Sequence, residues 1–303
     1  MKEAVNLARQ RSVRGFVQAG WALLTNGHLT GFWTGRLYQG SLKQICVPGL
    51  NCYSCPGSLG ACPIGALQAV LGKAGYRFSY YLAGFFLLMG GVLGRFVCGF
   101  LCPFGWIQEL LHRIPLPKGW KERASGFRFD RTLRWLKYII LVVFVIALPL
   151  TVVNAVGGGS PWFCQWICPA GTLEAGIPLA IQNPMIRAAL GLLFSWKAFI
   201  LAITVAASIL IARPFCKYVC PLGAIYGLFN RVAIFRYYID ANKCTSCGAC
   251  RKHCPMRIDP ARECNHIECV RCGNCRRVCP AGAIGCTKAC SRGIAARRDN
   301  AEI

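Results

Sequence analysis

Acidic side chains are scarce in this sequence. Eleven Asp and Glu stand against 35 Lys and Arg, a formal net charge of +24. That shortage excludes hydrolytic chemistry built on paired carboxylates. Glu109 and Glu174 stand alone, and each reads as a solvated or helix-start residue. Histidine is rarer still, with 4 in 303 residues. His28, beside Asn26 and Gly27, reads as a helix-end or packing residue in preference to a quinone or haem contact. Charge of either sign is thin, at 15% against 55% hydrophobic residues, and mean hydropathy is +0.42. A chain this apolar is no soluble ferredoxin and suits a membrane protein. The basic residues flank hydrophobic stretches and accompany no nucleic-acid motif, so their excess reads as membrane topology, with no nucleic-acid partner.

Cysteine, by contrast, is abundant: 21 residues, too many for disulfides alone. It is densest over 244–280. Cys244-x2-Cys247-x2-Cys250-x3-Cys254-Pro255 is followed by Cys269-x2-Cys272-x2-Cys275-x3-Cys279-Pro280. This is the bacterial two-cluster ferredoxin pattern, in which the fourth cysteine of each run closes the other cluster. Cluster one is therefore assigned to Cys244, Cys247, Cys250 and Cys279, and cluster two to Cys269, Cys272, Cys275 and Cys254. Zinc is the alternative for paired Cys-x2-Cys, but four ligands complete a zinc site and leave the doubled Cys-Pro unexplained. Such runs are assembled in a reducing compartment, which places residues 244–290 in the cytoplasm.

Four hydrophobic spans are expected, at 16–33, 78–97, 135–153 and 196–212, each near the ~20 residues that cross a bilayer as a helix. The first is the weakest, interrupted by Gln18, Asn26 and His28. With no clear cleavage site after Lys2, Arg9, Arg11 and Arg14, it reads as a retained anchor. Basic residues cluster after the second span (Arg113, Lys118, Lys121, Arg123, Arg128, Arg131, Arg134) and after the fourth (Arg213, Lys217 and onward). The positive-inside rule then puts both termini and the ferredoxin part in the cytoplasm, with loops 34–77 and 154–195 outside. Spans two to four hold no Asp, Glu or His, which argues against ion pumping through them.

One phrase recurs five times: Cys62-Pro-Ile-Gly, Cys102-Pro-Phe-Gly, Cys168-Pro-Ala-Gly, Cys220-Pro-Leu-Gly and Cys279-Pro-Ala-Gly. Proline fixes φ and turns the chain after the thiol. Glycine admits the start of a helix without a Cβ clash. Three copies carry a second cysteine four residues earlier, giving Cys98/Cys102, Cys164/Cys168 and Cys216/Cys220, a spacing that shares a helix face. Topology sorts them into an inner candidate metal site (Cys98, Cys102, Cys216, Cys220) and a separate outer one (Cys52, Cys55, Cys62, Cys164, Cys168, with Cys46 nearby). Disulfides or metal-free thiols are the alternative for both. Cys264, Cys286 and Cys290 are left without a role.

Hydrophobic spans ending in Cys-x3-Cys-Pro, followed by a two-cluster ferredoxin tail, resemble the NapH/MauN family of membrane ferredoxins, related to the membrane half of NosR-type proteins. The resemblance runs from about residue 78 to the ferredoxin tail. It implies a membrane electron-transfer subunit working between quinol, or a cytoplasmic donor, and a partner redox protein. By position, Cys98, Cys102, Cys216 and Cys220 match the two membrane motifs of the family, and Cys244 to Cys279 match the ferredoxin ligands. The third Cys-x3-Cys-Pro and the run Asn51-Cys52-Tyr53-Ser54-Cys55-Pro56 depart from the pattern and mark a divergent branch. A flavin-binding domain of the NosR kind is not expected.

The expected fold is an α-helical integral membrane protein of about four transmembrane helices with a C-terminal α+β two-[4Fe–4S] ferredoxin-like domain. Residues 1–235 form the membrane part, 236–290 the ferredoxin domain and 291–303 a basic tail. The expected location is the cytoplasmic membrane of a bacterium or archaeon. The expected cofactors are two [4Fe–4S] clusters, with one or two further iron–sulfur or metal sites as candidates at the membrane cysteines. Membrane lipid, a partner redox protein and quinone are the candidate partners, and the chain is a candidate quinol dehydrogenase component. The competing function is a maturation or metal-homeostasis factor that reduces a metal or thiol for a partner metalloenzyme, favoured by exposed outer thiols. A redox sensor ranks behind it for want of an output domain.

Overall fold

Proline decides where many of the helices begin. Pro63, Pro103, Pro169, Pro184, Pro214 and Pro221 each sit in the first turn of a helix, where a missing N–H leaves no hydrogen bond unmade. Four of these follow the cysteine of a Cys-Pro-x-Gly phrase, so each phrase is a helix start with the thiol at its N-cap. The computed structural model describes residues 2–73, 79–115, 120, 129–152 and 158–286, with side chains from residue 13 onward. Cys290, the tail 291–303, Arg77 and the basic residues Lys118, Lys121, Arg123 and Arg128 lie outside the described residues.

Among the described residues two helices are long and apolar enough to cross a membrane: Asp130–Thr151, with a mean hydropathy of 2.1, and Leu192–Leu210, at 1.9. At 1.5 Å per residue they measure roughly 33 and 28 Å, close to the hydrocarbon thickness of a bilayer. Ile139, Val142, Phe199 and Ile203 are exposed on them. The other two expected spans come out differently. The second is a helix of 13 residues, Tyr80–Val92. It stops because the chain turns at Gly94 (φ +54°), whose N–H closes on Met89 and Gly90, a left-handed cap open to glycine. The first, Lys2–Thr25, buries Gln18 and ties Arg14 and Gln18 to the Gly99 carbonyl and to Glu109, so these two polar residues face protein. Asn26 bonds back to Ala22, and a separate turn of helix follows at Thr30–Thr34.

Two π-helical segments, Leu141–Ala147 and Thr172–Gly176, each lie just before a proline, Pro149 and Pro178. A proline ring cannot accept the ordinary i−4 register, and widening the preceding turn relieves the clash. Among the described residues the ferredoxin part holds one antiparallel pair, Tyr237–Ile239 with Ile284–Cys286, in which Tyr237 faces Cys286.

One continuous core joins these parts. Leu50, Cys62, Cys98, Cys102, Cys168 and Cys220 are buried in it together with Met256 and Val270 of the ferredoxin runs. Each of three acids in or beside this core meets two bases. Glu268 binds Arg95 (2.6 Å) and Lys137. Glu109 binds Arg14 (2.7 Å) and Arg213 (3.0 Å). Asp130 binds Arg134 (2.6 Å) and Lys217. Pairing of this kind is the condition on which a charge can be buried.

Candidate metal centres

The first group is built by two copies of one phrase gripping each other. Arg95 stands three residues before Cys98, and Arg213 three residues before Cys216. Arg95 donates to the Cys216 carbonyl (3.2 Å), and Arg213 donates to the Cys98 carbonyl. Both arginines are fully buried. The helix N-termini reach the sulfurs as well: Gly105 N–H donates to Cys102 Sγ and Gly223 N–H to Cys220 Sγ, both at 3.4 Å. Gln108 completes the cage, its Oε1 accepting from Phe215 N–H (3.1 Å) and its Nε2 donating to Cys216 Sγ (3.3 Å). Burial pushes the thiols of Cys98, Cys102 and Cys220 up, and the nearby charge of Cys216 adds to this in each. Four thiols thus share one buried space lined with N–H donors and two guanidiniums. That suits an anionic thiolate-bound cluster.

The second group repeats the plan with fewer charges. Burial is the main force raising the thiols of Cys52, Cys164 and Cys168. Cys168 and Cys62 add to this at Cys52, Cys168, Cys62 and Cys52 at Cys164, and Cys62 at Cys168. These four are therefore neighbours. Gln68, six residues after Cys62, takes the place that Gln108 holds six residues after Cys102. Its Oε1 accepts from Phe163 N–H (3.2 Å), and its Nε2 points at Cys164 Sγ (3.8 Å). Lys197 donates to the Cys164 carbonyl (3.2 Å). Glu174, six residues after Cys168, accepts from Cys52 N–H (2.7 Å), and burial pushes its carboxyl up to about 7. Cys55 stands aside, its thiol directed at Asn26 (3.7 Å). Cys46 is held by Tyr81 at its backbone N–H (2.9 Å).

The two groups are adjacent. The expectation of separate inner and outer sites had them at opposite membrane faces, yet the loop 48–52 lies between them and touches both. Leu50 N–H is directed at the Cys102 sulfur, and the next amide, Asn51 N–H, at the Cys62 sulfur. The loop can lie this close because Gly49 has no Cβ: one there would meet the Leu101 carbonyl at 2.5 Å and Cys102 Cα at 3.0 Å.

In the ferredoxin part, Cys254, Cys269, Cys272 and Cys275 line a single cavity with Tyr237 and Met256. Cys244 lies near Cys250, while Cys250 and Cys279 pack around the Tyr237–Ile284–Cys286 cluster. The two runs repeat their backbone. Ser246 and Arg271 have φ of 52° and 50°, and Gly248 and Gly273 have φ of 70° and 78°. These left-handed residues wrap the chain around successive thiols, and glycine serves the position after the second cysteine at no steric cost. Cys264 is near Cys250 and Cys275, between the two runs, and Cys286 is disulfide-bonded. Among the described residues no three His, Cys, Asp or Glu converge as ligands of one metal ion would.

Comparison with known proteins agrees with this chemistry. A family model described as a 4Fe-4S binding domain matches residues 60–79, 78–123, 137–177 and 192–236, and a second of the same description matches 235–256. The four matches of the first model hold, in turn, Cys62, Cys98/Cys102, Cys164/Cys168 and Cys216/Cys220. An uncharacterized protein of Methanocaldococcus jannaschii is 28% identical over 60% of this chain and 60% of its own. The methylamine utilization ferredoxin-type protein MauN of Paracoccus denitrificans is 27% identical over 78% of this chain and 72% of its own, and the ferredoxin-type protein NapH of Escherichia coli 24% over 72% and 64%. The chain belongs to the NapH/MauN-type ferredoxin family. It spans about six tenths of the length of the M. jannaschii relatives, at 60% and 61%. No solved structure matches this ferredoxin-type chain.

Several residues of this NapH/MauN-type chain escape a reading of cysteine spacing alone. Arg95 and Arg213 are written into the sequence as Arg-x2-Cys-x3-Cys-Pro, which both copies share. Gln68 and Gln108, six residues past their Cys-Pro, become visible once the copies are aligned. Tyr226 holds the same sixth place after Cys220. It is fully buried and donates to the Pro48 carbonyl (3.1 Å).

Proposed function

We propose that this chain is a membrane-bound iron–sulfur protein that relays electrons between a cytoplasmic donor, or membrane quinol, and a partner redox protein. In this reading the ferredoxin part faces the cytoplasm, the helices Asp130–Thr151 and Leu192–Leu210 anchor the chain across the bilayer, and Cys98, Cys102, Cys216 and Cys220 hold a cluster beyond the two of the ferredoxin. Clusters bound by four thiolates supply one-electron chemistry over a wide range of potentials. The protein's part is to hold them close, dry and charge-compensated.

The observation that carries the reading is the contact between the first group and the ferredoxin. A Cβ on Gly99, next to Cys98, would collide with the Val270 carbonyl, next to Cys269. Val270 is buried in the same core as Cys98 and Cys102, with Cys254 and Cys272 packed against it. Arg95 locks the junction by reaching the Ile267 carbonyl (2.9 Å) and Glu268 (2.6 Å) from the same side chain that holds Cys216. Two cysteine groups on one rigid junction favour electron transfer over metal handover. The second cysteine group supports this preference, since its thiols are buried or half-buried, where a metal-delivery site wants accessible ones.

The test is reduction of the full chain, purified without oxygen in detergent, by a quinol analogue and separately by a reduced ferredoxin. Bleaching of the iron–sulfur absorbance by either donor is the expected result, with onward transfer to an added acceptor lost or slowed at least tenfold in Cys98→Ser with Cys216→Ser. Unchanged reduction and onward transfer in that variant would remove the first group from the path.

A further inference from the structure

We propose that Cys52, Cys62, Cys164 and Cys168 ligate a further [4Fe–4S] cluster, and that the loop 48–52 and Tyr226 form the electron path to it from the Cys98–Cys102–Cys216–Cys220 centre. This rests on the reading above and extends it by a fourth centre at the end of the series.

The ligand set follows from the repeat. A full Cys-x3-Cys-Pro phrase ending at Cys62 would need its first cysteine at position 58, where the chain carries a buried serine, Ser58. The missing thiol is supplied from upstream by Cys52, which the loop folds into place. A Cβ on Gly171, within the Cys168 phrase, would lie 3.7 Å from Cys52 Sγ, and one on Gly65, within the Cys62 phrase, 3.9 Å from Cys164 Sγ. Each helix start therefore leaves room for a sulfur of another segment. Gln68 grips Phe163 and Cys164 as Gln108 grips Phe215 and Cys216. Two sites with the same cage and the same number of thiols call for the same kind of occupant. Cys55 is not part of the set, because its thiol turns to Asn26.

The path follows from adjacency. Consecutive amides, Leu50 and Asn51, address a sulfur of each centre. Tyr226 is buried over the same loop, within electrostatic reach of Cys98 and Cys102 on one side and Cys62 and Cys46 on the other. The step is a one-electron exchange: what one centre loses the other gains. No bond forms or breaks, and the Tyr226 proton stays on its oxygen. Electrons enter from a one-electron donor at the ferredoxin part.

Iron and acid-labile sulfide per chain decide the matter, measured on the full-length protein purified without oxygen. With four irons per cluster, the unsubstituted chain is expected to hold about 16 irons and to take up about four electrons in a reductive titration. Cys62→Ser with Cys168→Ser should lower these to about 12 and about three, while Cys55→Ser leaves them unchanged. Cys98→Ser with Cys216→Ser should independently remove about four irons. A parent with about 12 irons that falls to about 8 only in the Cys98/Cys216 variant overturns the fourth centre and leaves the proposed function standing. A parent with about 8, unmoved by either pair, overturns both. The parent's count is decisive even where a variant fails to accumulate.

Discussion

At the scale of single residues, polar groups around the cysteines do the positioning. Gln108 satisfies the Phe215 amide and a sulfur at once. Truncating it to alanine leaves a buried N–H without an acceptor, at a cost of about 1–3 kcal/mol. The denaturation midpoint of Gln108→Ala should fall accordingly, and the potential of the first centre should shift; an unmoved midpoint would mean that water replaces the side chain. Glu109 offers a test by pH. Burial opposes its ionisation, but Arg213 and Arg14 outweigh this and hold it at about 2, against the usual 4.5. A carboxyl lowered on folding stabilises above its unfolded pKa and loses that contribution as pH falls through the folded one. The shift corresponds to roughly 3 kcal/mol. The stability gap between the parent and Glu109→Gln should be constant from pH 7 to about 5 and close below that; a gap indifferent to pH would refute the ion-pair account. The cysteines themselves were legible, because ligand spacing is a local property of sequence. Gln68, Gln108, Arg95 and Arg213 were not, because each acts on a partner more than ninety residues away. Their periodicity shows only when the Cys-Pro phrases are laid over one another.

At the scale of elements, hydropathy alone located the helices Asp130–Thr151 and Leu192–Leu210, since a long apolar run has few other uses. It overran the helix Tyr80–Val92, where Gly94 turns the chain before Arg95 is buried. It also misjudged Lys2–Thr25, whose Arg14 and Gln18 are satisfied by Gly99 and Glu109. Polar side chains that look like interruptions in sequence are contacts in the fold. The contact between the ferredoxin runs and the helices that precede them was not legible at all, and it is the most exposed to test. Gly99→Val should drive the Val270 carbonyl away and loosen the ferredoxin runs. Protease cleavage between residues 229 and 244 should speed up several-fold while iron content holds. Glu268→Ala leaves Arg95 and Lys137 buried without their anion, which should cost about 3–5 kcal/mol and give the same cleavage pattern. Full resistance to protease in both variants would mean that the junction is held elsewhere.

At the scale of the whole molecule, the order of contacts runs from the ferredoxin cysteines, through Val270 and Gly99, to Cys98 and its partners, and across the loop 48–52 to Cys62 and its partners. Neither cysteine group is made from one stretch of chain. The first draws on 98–102 and 216–220, the second on 52–62 and 164–168, and the two intervals overlap. A cluster bound at either is thus a cross-link closing a loop of about 110 residues, and loops of that length confine an unfolded chain by about 4–5 kcal/mol when tied. Because the loops interlock, tying one shortens the search for the other. The second group can be tied only once residue 168 has been made and the first only after residue 220, so cofactor insertion falls late in biosynthesis, and the apoprotein should be a loose, protease-sensitive chain that tightens in two cooperative stages as iron and sulfide are supplied.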